Sequence, residues 1–161
     1  MNLDDARRIM HEWTESPSLR THMECVAACM GAYAAELAPD EAERWRIAGL
    51  LHDFDYERHP SIEEHPVVGV AWLREHTDVD EGILEAILGH NDAAGVPRTT
   101  PMARALFAVD ELAGFIVACA KVRPNGIAGL APKSVRKKLK DKAFAAAVSR
   151  EDIRTGIAEL G

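Results

Sequence analysis

The stretch Ala48-Gly49-Leu50-Leu51-His52-Asp53 decides how this chain folds. Its four apolar residues read as the buried end of a helix, and an imidazole and a carboxylate follow without a break. Around it, Trp45, Ala48, Leu51 and Phe54 mark the inward face of a helix expected over 40–53. Polar groups placed directly against a core need partners, because desolvating them unpaired costs free energy.

The same helical period extends in both directions. Upstream, residues 3–14 carry Ile9, Met10 and Trp13 on one side, with Asp4 and Asp5 complementing the N-terminal dipole. Ser16-Pro17-Ser18 breaks the pattern, and an Ala-rich helix follows over 18–37, closed before Pro39. Downstream, 55–63 reads as a loop containing His59-Pro60-Ser61, and Pro66 suits the first turn of a helix running to 76. A fifth helix is expected over 80–90, then a polar Gly/Pro-containing connection over 91–100, then the most apolar helix over 101–121. Pro124-Asn125-Gly126 marks a turn, after which a basic helix over 133–147 and a last helix from Ser149 complete the chain. Ser149-x-x-Asp152 matches an N-capping pattern. No alternating run is long enough for a strand, and no repeat or linker divides the chain. The expected architecture is all-α: one compact helical bundle over 1–161, with its core in 18–121 and a basic helical extension over 122–161.

Composition sets outer bounds. A chain of 161 residues suits one domain and buries about 70% of the surface its unfolded form exposes. Apolar residues make up 47% of it, the share of an ordinary soluble protein, and no stretch approaches the roughly 20 apolar residues of a membrane-spanning helix. The opening MNLDDARRIM lacks the basic-then-apolar layout of a signal peptide, so a cytoplasmic location and no membrane partner are expected. Cys25, Cys29 and Cys119 form no CxxC pattern and read as small buried side chains in a reducing compartment. Charge is unevenly spread. Residues 1–120 carry 9 Lys/Arg against 22 Asp/Glu, or −13, whereas residues 121–161 carry 10 against 4, or +6. An acidic body repels nucleic acid, suits a cation site, and leaves a local basic patch for an anionic group.

Histidines and aspartates carry the chemistry. His22 lies midway along the second helix, His65 at the start of the fourth and His90 at the end of the fifth. Asp110 sits inside Ala105-Leu106-Phe107-Ala108-Val109-Asp110-Glu111-Leu112, where an isolated carboxylate needs a partner. A divalent cation is the strongest partner, and imidazoles with carboxylates are ligand types that zinc, manganese, iron, nickel and cobalt accept. Taken singly, His22 and His90 also read as helix histidines bonded to carbonyls, and His65 as a residue near a helix start. His11, His59 and His76 fall outside the pattern and are expected to be exposed, with His59 in a loop near enough to touch substrate.

His22, the doublet His52-Asp53 and Asp110 stand in an order that resembles the H…HD…D signature of the HD superfamily of metal-dependent phosphohydrolases. The resemblance covers roughly 18–120. It implies four side chains converging from three helices on one divalent metal. His65 and His90 are similar to the additional histidines of members that hold two metals, with Asp53 as the bridge. Two departures matter. Relatives often continue the doublet as H-D-I-G-K, whereas here His52-Asp53-Phe54-Asp55-Tyr56 lacks that phosphate-contacting lysine, and a frequent His-His pair is His90-Asn91. Asp55 becomes a candidate to orient a ligand histidine.

A replacement cation is sought further on. Lys133, Arg136, Lys137 and Lys140 fall on one helix face, preceded by Lys121 and Arg123. Either this face is a solvated surface with Leu139 and Phe144 packed inward, or Lys121, Arg123, Lys133 and Lys137 overhang the site and bind substrate phosphates. One short basic face without interleaved aromatics gives little support to nucleic-acid contact. The implied activity is hydrolysis of a nucleotide or other small phosphorylated metabolite, as a phosphatase or phosphodiesterase, by water activated on one or two divalent ions, with His52 and Asp53 as catalytic residues. The same ligand order also resembles di-iron oxygenases on HD-type scaffolds, and a metal-stabilised binding module without catalysis is the third possibility.

Overall fold

In the computed structural model, which describes residues 1–161, eight α-helices and two short 3-10 turns make up the regular structure, and there is no strand. The helices are α1 (Leu3–Trp13), α2 (Pro17–Leu37), α3 (Ala42–Leu51), α4 (Val67–His76), α5 (Glu81–Gly89), α6 (Pro101–Lys121), α7 (Pro132–Leu139) and α8 (Arg150–Leu160). Their starts follow from the sequence. Asn2 and Asp5 form a capping box on α1, and Ser16, Thr100 and Ser149 cap α2, α6 and α8 through their side-chain oxygens. Pro17 and Pro101 occupy first-turn positions where no backbone donor is needed.

One core of 27 buried residues joins α1 to α6. Within it α2 and α3 approach unusually closely. A Cβ at Gly49 would lie 2.6 Å from the Ala27 Cα, so only glycine lets the two backbones meet there. The consequence is local: the residues just after α3 are delivered to the middle of α2. The loop that follows α3 is fastened from the opposite side by α1. Trp13 packs against Phe54 and Trp72 at 4.9 Å between ring centroids in each case, and the buried Thr14 hydroxyl donates to the Phe54 carbonyl at 3.1 Å. Arg58 lies over the Trp13 ring and donates to the carbonyls of Glu12 and Trp13, closing the end of α1.

The C-terminal segment packs differently. Phe115, Cys119 and Ile153 form a separate three-residue cluster, lined by half-buried Leu130, Val135, Leu139, Phe144 and Val148. Arg98 pins the far end of α8 with paired bonds to Glu159 at 2.7 and 2.8 Å.

Three boundaries differ from expectation. The third helix ends at Leu51, so His52 is its C-cap and Asp53 lies in the turn, while Pro39–Glu41 forms a 3-10 turn ahead of it. Pro66 caps α4 instead of lying in its first turn. The basic helix stops at Leu139 rather than 147, because the Arg150 guanidinium occupies the carbonyls of Asp141, Phe144, Ala145 and Val148 and holds 141–148 as turns. Cys25 and Cys29 are half-buried, and only Cys119 is fully enclosed. No helix is long and apolar enough to cross a membrane.

Candidate metal centre

Six side chains from five segments meet at the centre of the bundle. His22 comes from α2, His52 and Asp53 from the end of α3, His65 from the turn before α4, His90 from the C-cap of α5 and Asp110 from the middle of α6. They form two groups. One ligand atom each from His22, His52, Asp53 and Asp110 lies within 4.8 Å of every other, and the same holds for Asp53, His65 and His90. Asp53 belongs to both. Its Oδ2 is 3.6 Å from His22 Nε2 and 3.4 Å from His52 Nε2, while its Oδ1 is 3.2 Å from His65 Nε2 and 3.5 Å from His90 Nε2. His22 Nε2 stands 2.9 Å from Asp110 Oδ1, and the two second-group imidazoles approach to 3.1 Å through Nε2. Atoms bound about 2.0–2.2 Å from one ion are spaced in just this way.

Residues 19–114, more than half of the chain, match the HD domain family. The chain belongs to the HD domain family. Members are usually metal-dependent phosphohydrolases. No curated protein and no solved structure matches the chain.

The donor chemistry of this HD site fits a divalent cation. His52 Nδ1 donates to the Gly49 carbonyl at 2.9 Å, His90 Nδ1 to the Ile87 carbonyl, and His65 Nδ1 to Asp55 Oδ1 at 2.7 Å. Each bond assigns the ring proton to Nδ1, so three Nε2 lone pairs point at one another and at carboxylate oxygens. Such an electron-rich cluster demands positive charge, as protons or as metal. The ionisation equilibria express the demand. Burial alone would lower the His65 pKa, but hydrogen bonds to Asp53 and Asp55 outweigh it and raise it to about 9. Burial likewise disfavours charge on His52, yet the neighbouring Asp53 and Asp110 carry its pKa well above the ordinary imidazole value. Asp53 and Asp110 are half-buried carboxyls that desolvation would push up, and the imidazoles beside them hold both well below the usual carboxylate range.

Asp55 is fully buried, and its second oxygen accepts the Gly69 amide at 2.8 Å. A Cβ at position 69 would come within 2.6 Å of that carboxyl group, so glycine is required for the contact. Asp55 therefore fixes both tautomer and direction of His65.

A cavity of about 490 Å³ opens onto the two groups. Tyr56, Ile62, Asn91, Asp92, Ala93, Phe107, Glu111, Gly114 and Asp152 line it together with five of the six site residues, His52 lying beneath. Tyr56 stands edge-on to the His65 ring at 5.1 Å, and Asn91 donates to the His65 carbonyl at 2.7 Å. Glu111 accepts the Ser149 amide at 3.0 Å and so ties α6 to the start of α8. Sequence reasoning missed Tyr56, Asn91, Glu111 and Asp152 as cavity residues. Glu111 carried a usable signal, since it follows Asp110 in the same apolar run; Asp152 read only as part of a helix cap.

None of Lys121, Arg123, Lys133 and Lys137 lines this cavity, and no Lys or Arg does. The reason is axial distance: Lys121 lies eleven residues beyond Asp110 on α6, about 16 Å along the helix. Arg123 and Lys137 line a different cavity, and Lys121 and Lys133 are exposed. His59 is half-buried, 3.8 Å from Glu64, and does not reach the site. His11 and His76 are exposed.

Proposed function

We propose that this HD-domain chain hydrolyses phosphate esters of a nucleotide or another small phosphorylated metabolite, using two divalent ions. The reading rests above all on Asp53, whose two oxygens are divided between the two groups of ligands. His22, His52, Asp53 and Asp110 would hold one ion, and Asp53, His65 and His90 the other. A divalent ion at such a position supplies Lewis acidity, lowering the pKa of water toward neutrality and polarising a phosphoryl oxygen. The chain's own contribution is rigidity. Gly49, Ile87 and Asp55 hold three imidazoles with their Nε2 lone pairs aimed inward. Asp53 would be the ligand common to both ions, and His52, wholly buried beneath it, would complete the first group. Tyr56, Ile62 and Phe107 give the cavity apolar walls for the organic part of a substrate.

The test is turnover of a panel of phosphomonoesters, phosphodiesters and nucleotides by protein reconstituted with manganese, iron, nickel, cobalt or zinc. Hydrolysis under at least one metal, absent in Asp53→Ala, is expected. Stoichiometric metal without turnover of any ester contradicts the reading. A cavity free of Lys and Arg favours a second one, oxygen activation by a carboxylate-bridged di-iron pair on an uncharged substrate. Iron-dependent oxygen consumption, with no ester hydrolysis, would select it.

A further inference from the structure

The cations between 121 and 142 are left without carboxylate partners, although Arg123 donates to the Gly126 carbonyl at 3.0 Å and Lys138 lies over the Phe144 ring at 4.4 Å. Eight Lys and Arg residues lie between 121 and 142, and none comes within 4.0 Å of a carboxylate. In the body, by contrast, Arg7, Arg44, Arg74 and Arg98 pair with Glu24, Asp80, Glu81 and Asp92. The unpaired cations are also crowded. Lys133 stands three and four residues before Arg136 and Lys137, and Lys140 three and four after them, spacings at which like charges repel. Packing beneath them is slight, since α7 contains no fully buried residue and only Val135 and Leu139 rest half-buried on the Phe115 cluster. Beside this face a cavity of about 570 Å³ opens between the end of α6 and α7. Arg123, Ser134, Lys137 and Lys138 stand on its wall, and Cys119 and Leu130 form an apolar floor. Asp141 is the one acid among its lining residues. Its size falls within the range of small-molecule sites.

We propose that this cavity binds a small polyanion, a phosphorylated metabolite of nucleotide size, independently of the metal centre. Arg123, Lys137 and Lys138 neutralise the phosphates, the Ser134 hydroxyl adds a donor, and the apolar floor receives the remainder of the ligand. The two cavities share no lining residue. Cys119 lies nine residues beyond Asp110 on α6, about 14 Å along the axis, so a phosphate held here is not the one that meets the ions.

The experiment is equilibrium binding of ATP to the full chain, as purified and again with excess EDTA. Saturable binding of one ATP per chain is expected in both. Lys137→Ala, an exposed change that favours helix, should weaken it about tenfold, and Lys137→Glu further, while circular dichroism stays unchanged. Asp110→Ala should bind ATP as the native chain does. Absence of saturable binding at millimolar ATP, or native affinity in Lys137→Glu, overturns the proposal. Loss of ATP binding in EDTA or in Asp110→Ala also overturns it, by returning the ligand to the metal centre. An RNA oligomer that binds more tightly than ATP and is lost in the same variant overturns it in favour of an extended nucleic-acid face.

Discussion

The body of this HD domain and its C-terminal segment solve the problem of charge in opposite ways. The body, with a balance of −13 over residues 1–120, satisfies its charges internally: Asp55 is enclosed and bonded on both oxygens, and four arginines are paired with acids of the same region. The segment over 121–161, at +6, turns Arg150 inward onto backbone carbonyls but leaves the cations between 121 and 142 without carboxylate partners, most of them exposed. Packing follows the same division, with 27 buried residues in one cluster and three in the other. The body is built to hold a few groups in fixed geometry. The segment is built to present charge.

Core truncation probes the comparison most strongly. Leu50, fully buried beside the ligand-bearing turn, should cost about 3–5 kcal/mol as Leu50→Ala, whereas Ile153→Ala in the small cluster should cost about 2 kcal/mol. Urea unfolding measures both, and equal losses would break the distinction. Next comes Asp55→Asn, which keeps shape but removes the carboxylate behind His65. Metal affinity should fall about 10–100-fold in calorimetric titration while far-ultraviolet circular dichroism is kept. Unchanged affinity would mean that the Gly69–Asp55–His65 arrangement is only structural.

Protonation separates the regions further. In metal-free protein His65 titrates at about 9 and His52 well above 6.5, so their charged forms stabilise the fold fully below about pH 6.5. That contribution is lost as pH rises through 9. Asp53 and Asp110 are held below 3.8, so theirs is present above about pH 4 and lost as pH falls further. The melting temperature of metal-free protein should therefore peak between about pH 4 and 6.5 and decline toward pH 9. Metal affinity should move the other way, rising with pH as the imidazoles lose their protons. A melting profile flat from pH 5 to 9 in the metal-free chain would contradict this account. The smallest effect is expected on α7, where Lys133→Ala or Lys140→Ala should leave stability within about 0.5 kcal/mol.

Much of this was legible in the chain because helical periodicity and capping are local. The break at Ser16-Pro17-Ser18, the polar connection ending at 100 and the capping pattern at Ser149 mark helix starts that the structure reproduces to within one residue. The order of His22, His52-Asp53, His65, His90 and Asp110 carried the resemblance that the family match bears out. What sequence could not supply was distance across the bundle. The close approach at Gly49 and the seat that Gly69 gives Asp55 depend on packing between elements. So does the turn over 141–148, where Arg150 competes with helical hydrogen bonding. The cations at Lys121, Arg123, Lys133 and Lys137 were readable as a basic patch, but its separation from Asp110 follows only from the course of α6.

The sharing of Asp53 between two groups of ligands is the centre of the account, and metal content by mass spectrometry tests it directly. Untagged protein should carry about two equivalents of divalent metal, Asp110→Ala about one and Asp53→Ala none. Full loading of Asp53→Ala, or no metal in the native chain even after titration, would contradict it.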